Sequence, residues 1–92
     1  MNQFSLEKGI LSPDPNNRFI VGHIKNQEGK IIKEIKISAG FMFIHFNLGK
    51  EYSDNVKQLE KWMNFKLVEV FDEFVSNPDS FKEDVIEKKF IN

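Results

Sequence analysis

The fold of this chain is decided by residues 19–38, which read FIVGHIKNQEGKIIKEIKIS. Residues 19–24 combine an aromatic residue with β-branched ones, and such side chains pack well on a pleated sheet. Residues 26–29 are typical of a hairpin turn, in which Gly29 can take a positive φ at no steric cost. Residues 30–38 follow as the clearest strand, so the stretch predicts a β-hairpin.

The alternation of residues 30–38 assigns each side chain to one face of the second strand. Ile31, Ile35 and Ile37 are expected on one face, and the opposite face is expected to carry Ile32, Glu34 and Lys36. Two further strands are predicted around the hairpin. A short one is expected near Phe4 and Leu6, and another over residues 41–46, which are apolar on both faces and indicate a central strand.

The pattern changes to a helical period in the second half of the chain. Between residues 54 and 75, apolar side chains recur every three or four positions, which predicts one helical stripe. The stripe consists of Val56, Leu59, Met63, Leu67, Val70, Phe71 and Phe74. Pro78 should end this helix, because proline disfavours the helical conformation in the residue before it.

A last short helix is predicted within residues 81–90. Ser80 and Glu83 have the spacing of a capping box, in which serine is followed three residues on by glutamate. Phe81, Val85 and Phe90 would form the apolar side of this helix.

This order of elements, strands first and helices after, predicts an α+β fold. We expect an antiparallel sheet of three to four strands within residues 3–46. One or two helices from residues 54–90 should cover one face of that sheet. With 92 residues, the chain fits a single domain, 1–92, with one core.

The composition excludes several classes of protein. The net charge is −1 and Arg18 is the only arginine, whereas a nucleic-acid reader normally uses several. Cysteine is absent, which excludes disulfides and thiolate chemistry. No apolar run approaches the ~20 residues that span a bilayer. The N-terminus lacks the basic start and apolar run of a signal peptide, so a cytoplasmic protein is expected. A mature chain from which a leader had been removed would have the same pattern.

Catalytic and metal-binding motifs are also missing from the sequence. His23 and His45 lie in predicted strands, without the three or four convergent ligands that a metal site needs. Adjacent acids such as Asp72 and Glu73 point in different directions on a helix, so they do not form a catalytic pair. We therefore expect a non-enzymatic chain that uses no cofactor and no metal.

The long helix raises a question about two aromatic residues. If residues 54–75 form one helix, Phe65 lies opposite the apolar stripe and Trp62 on its edge. Glu69 and Asp72 would then border an exposed aromatic pair. The alternative is a break at Asn64 that returns Phe65 to the core. The sequence favours the break, because a large exposed Phe lowers solubility.

Residues 29–42, GKIIKEIKISAGFM, resemble part of the accessory C-terminal domain of lipoate–protein ligases. That family runs a Gly-Lys-Ile hairpin strand into a Gly-Asp-Phe-Phe turn, where this chain has Ala-Gly-Phe-Met at residues 39–42. Residues 56–60 are similar to the leucine- and glutamate-rich opening of the family's next helix. The resemblance implies a chain without catalysis of its own, which would support lipoate activation by a partner subunit.

In its general character the chain resembles small acidic immunity proteins and phage-encoded inhibitors. The leading hypothesis is therefore a protein-binding module that inhibits a partner protein by occlusion. Its partner would carry a basic surface, and nucleic acid and membrane are not expected as partners. A homo-oligomer and a structural subunit of a larger assembly stay open. The candidate contact residues are Tyr52, Trp62, Phe65, Glu69 and Asp72.

Overall fold

The computed structural model describes residues 3–12, 18–39 and 52–90, with the side chains of the last range described from residue 57 onward. A four-stranded sheet is packed against one long helix, which confirms the predicted α+β class. The elements are, in chain order, β1 (Ser5–Glu7), β2 (Arg18–Lys25), β3 (Ile31–Ala39), α1 (Tyr52–Ser76), a 3₁₀ turn (Pro78–Ser80) and β4 (Val85–Phe90).

The strands follow each other in the sheet in the order β1-β2-β3-β4. The first three pair antiparallel, whereas β4 runs parallel to β3. The sheet is therefore mixed, and the prediction of a purely antiparallel sheet was wrong. The predicted strand over residues 41–46 lies outside the described residues.

The C-terminal element is a strand, so the predicted helix over residues 81–90 was wrong. Ile86 lies beside Ile35 in the parallel register and is buried, while Val85 is 44% exposed. This alternation buries Ile86 and exposes Val85, whereas a helix with Phe81, Val85 and Phe90 on its apolar side would bury Val85 instead. The predicted capping box is also absent, because the Ser80 hydroxyl donates to the Asn77 carbonyl oxygen at 2.9 Å.

The β2–β3 hairpin confirms the prediction for residues 19–38. The turn holds Gly29 at φ +81°, and the Asn26 side-chain oxygen accepts the backbone N–H groups of Glu28 and Lys30 at 3.0 Å each. The local side-chain hydrogen bonds of asparagine stabilise such turns.

A β-bulge changes the first residues of β3. Ile24 pairs with Lys33 and Lys25 with Ile31, so Ile32 has no directly opposite residue. A bulge interrupts the regular alternation of side chains. Ile32 consequently packs against the core and Ile31 is 51% exposed, which is the reverse of what simple alternation predicted.

Helix α1 lies across β2 and β3 and buries five residues of its apolar stripe, Leu59, Met63, Leu67, Val70 and Phe74. Close contact is permitted at Gly22, where a Cβ would approach the end of the Leu67 side chain to 2.9 Å. The helix ends at Ser76, immediately before Asn77 and Pro78, as predicted. The buried core consists of Leu11, Ile20, Ile24, Ile35, Ile37, Ala39, Leu59, Met63, Leu67, Val70, Phe74 and Ile86.

The helix continues through Asn64, so the favoured break at this residue was wrong. Met63 and Leu67 are both fully buried on the two sides of Asn64. Their burial outweighs the intrinsic helix cost of an asparagine, which is under about 1 kcal/mol. In the described part of the chain, no helix has the length and apolarity needed to cross a membrane.

Candidate protein-binding surface

Phe65 is the most unusual side chain on the helix. It lies almost opposite the buried stripe, since each residue turns the helix by about 100°. The residue is 61% exposed to solvent. A single surface Leu needs no explanation, but a phenylalanine on the outermost line of a helix is a candidate contact residue.

Trp62 lies on the side of the helix that faces β4. Its ring meets the Phe90 ring edge to face, with centroids 5.0 Å apart and an interplanar angle of 79°. The Lys66 Nζ lies 5.4 Å from the Trp62 centroid and 5.7 Å from that of Phe90. Trp62 is therefore half-buried and held in one orientation, because ring contact and cation–π attraction restrict its rotamers.

The carboxylates of Glu69 and Asp72 follow Phe65 along the outer side of the helix, and both side chains are exposed. Glu69 pairs with Lys66 at 3.2 Å. The last turn of α1 has no basic residue, so the partial negative charge of the helix C-terminus adds to that of the carboxylates. We name Trp62, Phe65, Glu69 and Asp72 the outer helix surface.

A shallow groove of about 610 Å³ continues the outer helix surface beyond the end of α1. It separates the last two turns of the helix from the 3₁₀ turn. Three carboxylates and one half-buried aromatic ring border the groove. The residues that line it are Glu69, Asp72, Glu73, Ser76, Asn77, Ser80 and Phe81. Sequence reasoning missed Glu73 and Phe81 as parts of this surface, because it placed Phe81 in a helix.

The fifth candidate residue, Tyr52, lies at the start of the helix and far along it from Phe65. It is the first residue of α1, and its side chain lies outside the described residues. At 1.5 Å per residue, its backbone is about 20 Å from that of Phe65. The structure thus brings together four of the five residues that the sequence singled out.

His23 lies on the face of the sheet opposite the helix, between two carboxylates. Its Nδ1 is 3.9 Å from Glu7 Oε1 and its Nε2 is 3.5 Å from Glu34 Oε1. Lys25 donates to the other Glu7 oxygen at 2.6 Å. Within the described ranges, no three His, Asp or Glu side chains are grouped so that they could hold a metal ion. His45 lies outside those ranges.

Comparison of the chain with protein-family models, with curated proteins and with solved structures finds no match.

Proposed function

We propose that this chain is a non-enzymatic protein-binding module that inhibits a partner protein by covering a basic surface on it. The observation that carries the proposal is the 61% exposure of Phe65 on a continuous helix. A large aromatic side chain in the centre of a patch with a polar rim is the usual anchor of a protein interface.

The charge of the outer helix surface supports a basic partner. Glu69, Asp72 and Glu73 lie on the C-terminal half of α1, where the helix dipole is also negative. Like charges gathered on one surface steer an oppositely charged partner and raise the rate of association. The sign of this patch therefore fits a lysine- or arginine-rich surface.

The rigidity of the surface supports occlusion as the mechanism. The outer helix surface sits on a helix whose opposite side is fully buried at Met63 and Leu67. Trp62 is held by Phe90, so this ring has little side-chain freedom to lose on binding. Preorganised surfaces bind tightly because the entropic cost of ordering them is small.

The test compares Phe65→Ser with Ile31→Ser as a matched control. Ile31 is also an exposed apolar residue, but it lies on the β2–β3 hairpin and not on the helix. Full-length chains of both variants and of the wild type are used to capture proteins from a lysate of the native cell. We expect a basic protein that the wild type and Ile31→Ser retain and that Phe65→Ser loses. The affinity for that protein should fall at least 30-fold in Phe65→Ser, as for an interface hot spot.

A Glu69→Gln, Asp72→Gln double variant tests the electrostatic part. Its association rate should fall, and the salt dependence of that rate should weaken, because the steering charges are gone. A partner that binds Phe65→Ser and the wild type equally would contradict the proposal, as would a partner with an acidic contact surface.

A second proposal is support of a lipoate–protein ligase subunit, as the resemblance of residues 29–42 implies. What favours it is that the Gly-Lys-Ile segment does form a hairpin turn leading into β3. The proposal predicts that lipoyl-adenylate forms when a catalytic subunit is added and not without it. Absence of stimulation by the added chain would contradict it.

A further inference from the structure

We infer that β4 is a self-association edge: it pairs antiparallel with β4 of a second copy of this chain, about a two-fold axis at Ile86. The pairing would join two four-stranded sheets into one continuous sheet. This inference rests on β4 and its flanking charges, and it is independent of the outer helix surface.

No strand of the described residues pairs with the outer edge of β4. Among the described residues, β4 pairs only with β3, and four of its six side chains are exposed, namely Val85, Glu87, Lys88 and Lys89. The Asp84 carbonyl oxygen accepts the backbone N–H of Glu34 at 2.9 Å. Because backbone groups alternate along a strand, those of Val85 and Glu87 point away from β3 and are available to another strand.

The charges around β4 select the partner and the register. Two acids, Glu83 and Asp84, form a bend just before the strand, and two bases, Lys88 and Lys89, lie near its C-terminal end. With the axis at Ile86, the acidic bend of each copy adjoins the strand end that carries the two lysines of the other copy. The two-fold axis repeats this arrangement, so two acids adjoin two bases at each end, and opposite charges close together across a sheet are stabilising.

Neighbouring registers are less favourable. An axis at Glu87 sets that carboxylate directly opposite its own copy, and an axis at Lys88 sets two ammonium groups opposite each other. Like charges directly opposite are destabilising. Edge lysines usually discourage pairing with foreign strands. Here β4 of a second copy is a favourable partner, because it brings two acids close to these lysines.

The helices leave room for this pairing. A two-fold axis perpendicular to the sheet keeps both copies of α1 on the same face. Because α1 lies over β2 and β3, and strands are about 4.8 Å apart, the two helix axes would be about 19 Å apart. That is about twice a helix-packing distance, so the helices do not collide. The interface is small, and we expect a weak dimer.

The experiment is sedimentation velocity of the full chain over a range of concentrations up to about 1 mM, which covers weak association. The wild type should shift from monomer to dimer as concentration rises. Lys88→Glu/Lys89→Glu makes both ends of β4 acidic, and Glu83→Lys/Asp84→Lys makes both ends basic. Each double variant alone should stay monomeric, and a 1:1 mixture should form a heterodimer.

Two controls separate strand pairing from general charge effects. Lys57→Glu/Lys61→Glu changes the net charge equally on the helix, and it should dimerise like the wild type. Val85→Pro removes an outward N–H at the first residue of an edge strand, where proline is tolerated, and should be monomeric with an unchanged circular dichroism spectrum. The inference would be overturned if the wild type stayed monomeric at all concentrations or if Val85→Pro formed a dimer. It would also be overturned if the mixture of the two charge-reversed variants did not associate.

Discussion

Asn64 is a half-buried polar residue in the middle of helix α1. Its side-chain NH₂ donates to the Glu60 carbonyl oxygen at 3.1 Å, a local bond that asparagine makes readily. Its side-chain oxygen is buried and accepts no hydrogen bond from the described residues. The unpaired oxygen lowers the free energy of unfolding, but the core contacts of the neighbouring residues outweigh this loss. The local preference of asparagine therefore predicted a break that the helix does not have.

Replacing Asn64 by leucine should stabilise the protein by about 1 kcal/mol. An unsatisfied buried polar atom costs about 1–3 kcal/mol, and leucine is the better helix former, while the bond to Glu60 is lost. Thermal or denaturant unfolding measures the change. Asn64→Asp is the control, because it keeps the shape but buries a charge, and it should lower stability. A less stable Asn64→Leu would show that the amide oxygen has a partner.

Glu7 provides a pH-dependent contribution on the open face of the sheet. The hydrogen bond from Lys25 and the charge of that residue hold the pKa of the Glu7 carboxyl below its ordinary value of 4.5. A carboxyl group whose pKa is lower in the folded state than in the unfolded state stabilises the fold when the solution pH is above its unfolded pKa. The contribution is lost as the pH falls through the folded pKa. The side chain is exposed, so the effect is small.

Lys25→Met should raise the pKa of Glu7 toward 4.5, as followed by NMR of its carboxyl carbon. The stability difference from the wild type should be constant at neutral pH and shrink as the solution is acidified below pH 4.5. Lys30→Met, in the exposed turn, should leave the Glu7 titration unchanged. An unaltered Glu7 pKa in Lys25→Met would contradict the assignment of its cause.

At the scale of elements, the sequence predicts the structural features that depend on residues close together in the chain. The hairpin of β2 and β3 and the stripe of α1 follow from alternation, turn chemistry and helical period over neighbouring residues. The bulge at Ile32 could not be foreseen, because it depends on how β3 meets β2. Strand β4 was missed because its pairing with β3 is distant in sequence, whereas Phe81, Val85 and Phe90 have a near-helical spacing.

The two neighbours Val85 and Ile86 distinguish the strand from the predicted helix. In the structure Ile86 is 7% exposed and Val85 is 44% exposed. Ile86→Ala should therefore cost about 2–4 kcal/mol of unfolding free energy, and Val85→Ala less than about 1 kcal/mol. In the helix that was predicted, Val85 would be buried and the order reversed. Chemical denaturation of both variants decides between the two.

The candidate site shows the same division. Trp62, Phe65, Glu69 and Asp72 could be placed on one side of a helix from their spacing alone. Whether that side was exposed depended on Asn64, and the sequence favoured the wrong alternative there. The contact of Trp62 with Phe90 could not be anticipated, since it requires β4 to lie beside β3.

At the scale of the whole molecule, the outer helix surface and β4 adjoin where Trp62 meets Phe90, and we propose a different task for each. Pairing through β4 would leave both copies of α1 on one face of the joined sheet. Two copies of Phe65 would then face the same direction. A partner with two basic sites at a matching separation could then bind both copies of the outer helix surface at once. The first contact would hold the second site nearby at a high effective concentration and so strengthen the binding.

The parallel pairing of β3 with β4 joins parts of the chain that are distant in sequence. Glu34 meets Val85 and Ala39 meets Phe90, so the whole of α1 lies in the segment that connects the two paired strands. Such distant contacts slow folding, because a long segment must be ordered first. In a chain whose β4 has not yet paired, the edge of β3 beside Ile35 and Ile37 is uncovered. Such an unpaired edge favours aggregation and capture by a chaperone.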